Sequence, residues 1–320
     1  SYRLAQLHRL GDDLMFYTGN FSSFVTLKAS MEAALQNHGW ALNGDGTLVK
    51  NGMYVRLVAS TIYQIAAFAG TGSSLPPAPL PGAPAYGVKI MNFSGSPMNF
   101  PATYDLHVFE DTDEVYLVVN YNGDKYQQLS FGKSRVNQVG GTGMWLTGSF
   151  RSDVVQAATH LVYTSASDSY VGFGWSGMGC GLFHEAYNAP LGCSYIHTGL
   201  DTTGWKQVGT SDGNLLGSGD PMAALLQSLP SQFNQSTVLL PLLAVQRRLS
   251  KGQTVAADLE NARLCRNDNH LSGEIVTYGT DRWKVYPFHR KNAAVRNGVP
   301  WSTGSDHTGT FAYAIRYTGP

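Results

Sequence analysis

The stretch from Tyr104 to Phe131, YDLHVFEDTDEVYLVVNYNGDKYQQLSF, constrains the fold more than any other. Tyr104, Leu106 and Val108 alternate with Asp105 and His107. Further on, Val115, Leu117, Val119 and Tyr121 alternate with Tyr116, Val118 and Asn120. A period of two puts successive side chains on opposite faces and predicts strands. The acidic Glu110-Asp111-Thr112-Asp113 and the pair Asn122-Gly123 separate three of them. Asn-Gly tolerates the positive φ that a two-residue type I′ turn demands, so an antiparallel meander is expected. Val115 to Tyr121 is apolar on both faces, which predicts a covered central strand between half-exposed flanking strands. Such a sheet reads as a scaffold, with nothing in it that looks like an active site.

Before the meander, Leu4, Leu7 and Leu10 suggest a short helix ended by Gly11, and Ser23 to His38 predicts a clearer one. Ser22 or Ser23 caps it, Phe24, Leu27, Met31 and Leu35 form one apolar side, and Gly39 suits the left-handed position after it. Trp40 to Leu42, Thr47 to Lys50, Met53 to Ala59 and Thr61 to Ala69 read as short strands, with a tight turn at Asn51-Gly52. GTGSSLPPAPLPGAPAYG, residues 70–87, excludes helix and central strand and reads as a linker or arm, or as an ordered surface loop.

After the meander, Gly132 to Gly148 has neither period, and Ser152 to Thr164 mixes helix and strand signals. Tyr170 to Trp175 and Gly181 to Tyr187 are expected as strands. Pro221 to Leu229 is expected as a helix capped by Asp220 and stopped by Pro230. Val238 to Arg247 predicts a buried strand kinked at Pro241. Glu274 to Tyr278 and Arg282 to Phe288 predict a hairpin, and Thr310 to Tyr317 a final alternating strand. The fold class is therefore mainly β (α+β), antiparallel sheets or a sandwich with a few short helices. The expected division is an α+β unit over 1–70, a Pro-rich linker or arm over 71–87, and a β-rich main domain over 88–320.

Charged residues are only 14% of the 320 and the formal net charge is zero. A balanced chain exerts no long-range pull on nucleic acid or an anionic membrane, so neither is expected as a partner, and neutrality does little to oppose self-association. The first residues hold no apolar run of a secretory signal, and no stretch is long and apolar enough to span a bilayer. Three cysteines, Cys180, Cys193 and Cys265, do not describe a disulfide framework. Sequons at Asn20, Asn92 and Asn234 read as chance.

The most suggestive chemical pattern is Cys180-Gly-Leu-Phe-His184 and Cys193-Ser-Tyr-Ile-His197, two thiols and two imidazoles that on paired strands suit a closed, structural Zn²⁺ site. Buried cysteines and hydrogen-bonded histidines explain the same residues without metal. His184-Glu185-Ala-Tyr-Asn188 has Asn where a zinc protease needs its second His. Glu110, Asp111, Asp113 and Glu114 lack the length and glycine of a Ca²⁺ loop and read as a solvated turn, which also gives no means of raising a glycosidase carboxyl. Gly174-Trp-Ser176-Gly177-Met178 has Met where a nucleophile elbow requires Gly, and Gly140-Gly-Thr-Gly-Met144 lacks the Lys of a phosphate loop. No catalytic residue, cofactor or metal is expected on these grounds.

Asn37-His38-Gly39-Trp40 at the helix end, Tyr278-Gly279-Thr280-Asp281-Arg282-Trp283-Lys284-Val285-Tyr286, and the closing Phe311-Ala312-Tyr313-Ala314-Ile315-Arg316-Tyr317 resemble structural proteins of tailed-bacteriophage virions. The likeness is to tail and baseplate components and covers short segments near both ends. The resemblance implies a non-enzymatic subunit, made in the host cytoplasm and built into the virion as a homo-oligomer or beside other virion subunits. Competing readings are a receptor- or carbohydrate-binding tail module using Trp145, Trp175 and Trp205 on loops, and a tail-associated wall hydrolase.

Overall fold

The structure, a computed structural model, describes residues 14–137, 139–156, 181–183, 192–209, 211–216, 237–267, 270–290 and 311–320. In chain order its first elements are β1 (Leu14–Phe21), α1 (Phe24–Gln36), β2 (Ala41–Leu42), β3 (Thr47–Lys50), β4 (Met53–Ala59), β5 (Gln64–Gly70) and β6 (Val88–Met91). There follow β7 (Ala102–Phe109), β8 (Glu114–Tyr121), β9 (Lys125–Lys133), β10 (Met144–Gly148), β11 (Phe150–Arg151), β12 (Ser194–Thr198) and β13 (Gly204–Gln207). The last are β14 (Leu240–Arg247), β15 (Gln253–Arg266), β16 (Ile275–Tyr278), β17 (Asp281–Pro287) and β18 (Phe311–Arg316). The protein is mainly β, with three antiparallel sheets and, among the described residues, one helix.

The meander forms as the alternation requires. Strands β7, β8 and β9 are neighbours in the seven-stranded order β1-β7-β8-β9-β10-β12-β13, and Asn122 and Gly123 both take positive φ in the turn between β8 and β9. Strand β8 is buried nearly throughout. Val115, Leu117, Val119 and Tyr121 join a core shared with the six-stranded sheet β11-β6-β5-β4-β3-β2 and α1. Tyr116 and Val118 join a second core shared with the five-stranded sheet β14-β15-β18-β17-β16. The seven-stranded sheet is thus a middle layer, and the expected sandwich has three tiers. Helix α1 is capped by Ser23, which also forms a reciprocal box with Thr26, and Phe24, Leu27, Met31 and Leu35 are buried.

Several expectations need correction. Strand β9 is buried along most of its length because β10 lies beside it, whereas a half-exposed flank was expected. Residues 132–148 lack a readable period because Gly132 makes room for a large neighbour. A Cβ there would sit 2.6 Å from the Trp145 ring and 2.8 Å from the Asp113 carbonyl. Strand β14 is an edge strand of alternating burial with irregular register around Pro241, not a buried one. Strand β15 has no clean alternating signature because its burial is irregular, with Asp258, Glu260 and Arg263 only partly buried among buried Ala and Leu. Residues 181–183 form a turn with Leu182 and Phe183 at positive φ, not the start of a strand. The expected helices at Leu4 to Leu10 and Pro221 to Leu229, and the strand Tyr170 to Trp175, lie outside the described residues.

Both larger sheets draw strands from before and after the Pro-rich stretch: β1 pairs with β7, and β5 with β6. That stretch is laid back on its own chain. Thr71 N–H donates to the Pro81 carbonyl, Leu80 is buried, and Arg56 on β4 donates to the carbonyls of Ala78 (2.9 Å) and Ser74.

Arg56→Met is expected to leave the sheets intact while cleavage within residues 71–87 by a broad-specificity protease accelerates several-fold. An unchanged digestion rate would show that the guanidinium does not hold the loop. Gly132→Ala should cost about 1–3 kcal/mol of unfolding free energy in a urea titration, because both atoms it meets belong to packed groups.

Candidate functional site

Interior polar side chains gather where the middle sheet meets the five-stranded sheet. Asp105 and His107 lie two residues apart on β7 and so share the face turned toward that sheet. Tyr286, on β17, reaches between them. Its hydroxyl donates to Asp105 Oδ2 at 2.7 Å and lies 2.9 Å from His107 Nε2. With its single proton given to the carboxylate, the hydroxyl presents a lone pair to His107 Nε2. Lys284, on the same face of β17, places Nζ 2.7 Å from Asp105 Oδ2 and 5.0 Å from the Phe16 ring centroid.

A chain of His, Tyr, Asp and Lys has the membership of a proton relay, but its electrostatics oppose that use. Burial pushes His107 down to about 3, against the pull of Asp105. Burial and then the Asp105 carboxylate push the Tyr286 hydroxyl well up. A tyrosine acting as acid or base needs its pKa brought toward neutrality, and this one is driven the other way. Burial alone would raise Asp105, yet the Lys284 charge and the bonds from Lys284 and Tyr286 hold it below its ordinary value.

A second node forms around Glu114 at the start of β8, fully buried against β15. Oε1 accepts from the Glu260 N–H at 2.9 Å. Oε2 accepts from the Asn261 N–H (3.0 Å), Asn261 Nδ2 (2.8 Å) and the Tyr116 hydroxyl (3.0 Å). Burial pushes Glu114 up to about 7, with these donors pulling against it. On the other face, Tyr17 Oη meets His38 Nε2 at 2.7 Å and His38 Nδ1 meets Glu110 Oε1, linking β1, the end of α1 and the acidic turn. Lys89, pushed down to about 8 by burial, is held by Gln64 Oε1 (2.9 Å) and the carbonyls of Ser152 (3.0 Å) and Val154 (2.5 Å). Each such group is engaged with its own chain.

The residues singled out by sequence are dispersed. Cys193 is buried in the core under the six-stranded sheet, and His197 accepts from the Thr142 N–H at 3.0 Å. Cys180, His184, Glu185, Asn188, Trp175, Ser176 and Met178 lie outside the described residues. Among the described residues no group of three or more His, Cys, Asp or Glu is placed to hold a metal ion. The acidic turn is not the solvated cluster expected: Glu110 bonds His38, Asp113 pairs with Lys50 (2.9 Å), and Glu114 is inside. Trp145 is fully buried on β10, so it offers no sugar platform, and Trp205 sits on β13 with Nε1 donating to the Gly82 carbonyl at 2.6 Å. Sequence reasoning missed Tyr286, Lys284, Glu260 and Asn261. The i, i+2 pair Asp105 and His107 was the available signal.

No protein-family model matches the chain, and no curated protein matches it.

The two nodes bias stability in opposite directions with pH. His107, below its ordinary 6.5 in the folded state, subtracts stability as pH falls from about 6.5 toward 3. Glu114, above its ordinary 4.5, subtracts stability as pH rises from about 4.5 to 7. Glu114→Gln is therefore expected to make the unfolding free energy from urea titration rise between pH 5 and 7, and His107→Gln to make it fall, each by about 1 kcal/mol or more. Parallel pH profiles for the two variants would refute this assignment.

Proposed function

We propose that the protein is a non-enzymatic structural subunit of a bacteriophage virion, of tail or baseplate type, assembling through β-rich surfaces into a ring or complex. The observation that carries the non-enzymatic part is the use of its buried acid, base and phenol groups. Asp105, Tyr286 and Glu114, and His107 through Nε2, bind one sheet to another, with Tyr286 and His107 driven away from the pKa values that proton transfer needs. Three stacked sheets with packed interiors are a rigid body, which suits a part that transmits load and fits a lattice of neighbours. The virion part rests on the resemblance of the segments at 37–40, 278–286 and 311–317.

Other features agree with assembly. The formal charge is zero, so copies do not repel one another. Apolar side chains are exposed on several surfaces, including Val25, Ile62 and Tyr63 at 45–49% and Leu271 and Tyr278 above 60%. No helix among the described residues is long and apolar enough to cross a membrane. The partners in this reading are further copies and other virion proteins, met in the host cytoplasm before incorporation.

Size-exclusion chromatography with light scattering, run over a range of concentrations and with co-expressed virion proteins, tests the reading. Growth in mass with concentration, or a stable complex with a virion protein, is expected. A monomer indifferent to both would overturn it.

A further inference from the structure

The sheet edges are guarded unequally. Helix α1 packs against β4 and β5 as well as β1, and β2 and β11 are two residues long. The outer side of β14 is occupied, with Leu216 N–H donating to the Val245 carbonyl and Arg247 N–H to that of Asn214. Strand β13 meets Leu215, whose N–H donates to the Gln207 carbonyl. Strand β16, Ile275-Val276-Thr277-Tyr278, has no proline, no charge and no bulge, and Ile275, Thr277 and Tyr278 are exposed. These are devices by which edges are ordinarily blunted; this strand lacks them, and among the described residues no backbone group bonds its outer side.

The hairpin fixes which backbone groups face outward. The two-residue turn Gly279-Thr280 pairs Tyr278 with Asp281, then Thr277 with Arg282, Val276 with Trp283 and Ile275 with Lys284. Val285 N–H donates to the Glu274 carbonyl at 2.8 Å, and the Arg282 carbonyl turns away to accept from Tyr317 N–H at 2.7 Å. With pairing alternating along an antiparallel ladder, Val276 and Tyr278 bond toward β17, and the N–H and C=O of Ile275 and Thr277 point away from it.

We propose that β16 pairs antiparallel with β16 of a second copy, about a twofold axis through Val276, joining two five-stranded sheets into one. This deepens the assembly reading above and rests on it. The strand is complementary to itself: in this register Ile275 of each copy opposes Thr277 of the other, and the outward groups make four hydrogen bonds. Val276 opposes Val276, and the one charged residue in the overlap, Glu274, opposes Tyr278, so no like charges meet. Leu271 (69% exposed) and Tyr278 (63%) lie near opposite ends of the strand, so antiparallel pairing brings one toward the other, whereas parallel pairing would not. The closed, isologous arrangement follows. So short an edge buries less than the ~1,200–2,000 Å² of a standard interface, so the contact is reversible in isolation and gains strength where many copies are held together.

The register is tested by cross-linking. Val276→Cys should give a disulfide-linked dimer under mild oxidation, because a non-hydrogen-bonded pair on the axis brings the two Cβ atoms within bonding range. Ile275→Cys should cross-link far less, and the wild type, with its native cysteines, not at all. Equal cross-linking at 275 and 276, or none at 276, overturns the proposal. In sedimentation velocity, Thr277→Pro removes only an outward N–H and should raise the dimer dissociation constant about tenfold or more, while circular dichroism and the melting temperature report that the fold persists. Ile275→Lys, which leaves the backbone unconstrained, should do the same. Self-association unchanged in both variants, or wild type that binds other virion proteins but never itself, overturns pairing through β16 and leaves the assembly reading standing. A chain that associates with nothing removes both.

Discussion

A sheet apolar on both faces has to be covered on both faces, and the rest of this structure follows from that requirement. Strand β8 presents Val115, Leu117, Val119 and Tyr121 to one side and Tyr116 and Val118 to the other. Each fully buried large side chain contributes about 1.5–3 kcal/mol relative to exposure, so leaving either face in water would forfeit much of the stability of a typical domain. The six-stranded sheet with α1 covers one face and the five-stranded sheet the other. The strands that do this come from distant parts of the chain, so the middle layer is completed only when most of the chain has folded.

Burying β7 and β8 so deeply also buries polar groups, and their treatment shapes the functional reading. An unpaired buried carboxylate or imidazole costs more than a typical hydrogen bond returns. Asp105, His107 and Glu114 are each met by side chains or backbone N–H groups from β15 and β17, between about 145 and 180 residues away in sequence. These bonds orient one sheet on another more specifically than apolar contact alone, which is not directional. The membership of the His107, Tyr286, Asp105 and Lys284 chain would suit catalysis, whereas its burial and pKa directions suit a fixed tie. Residue types alone therefore do not separate the two roles, and the proposed non-enzymatic reading rests on their surroundings.

The exposed side of the same economy lies at the sheet edges. Covering both faces of the middle sheet turns the remaining liabilities outward, to the edge strands, whose outer N–H and C=O groups the sheet itself leaves unpaired. Strands β2 and β11 are short and β13 and β14 meet neighbouring chain, whereas among the described residues no backbone bond reaches the outer side of β16. A packed three-tier body with an edge strand left open among the described residues is what the proposed subunit of a larger assembly would present.

Local signals carried far in this chain. The meander, the Asn-Gly turns, the Ser23 cap with its apolar stripe, strands β3 and β4, and the hairpin of β16 and β17 were legible because each depends on residues close in sequence whose periodicity or turn chemistry reports its own environment. Strands β10 and β15 were not legible. Packing on both faces of β10 and the irregular burial along β15 erase alternation, and the room for Trp145 depends on Gly132 across a strand pair. The mutual placement of Asp105, His107 and Tyr286, and of Glu114 and Asn261, was decided by tertiary structure alone. Nothing within a few residues of either partner encodes which distant group will arrive to bond it, so the sequence determined the strands and their faces, and only the stacking of the sheets determined what those faces hold.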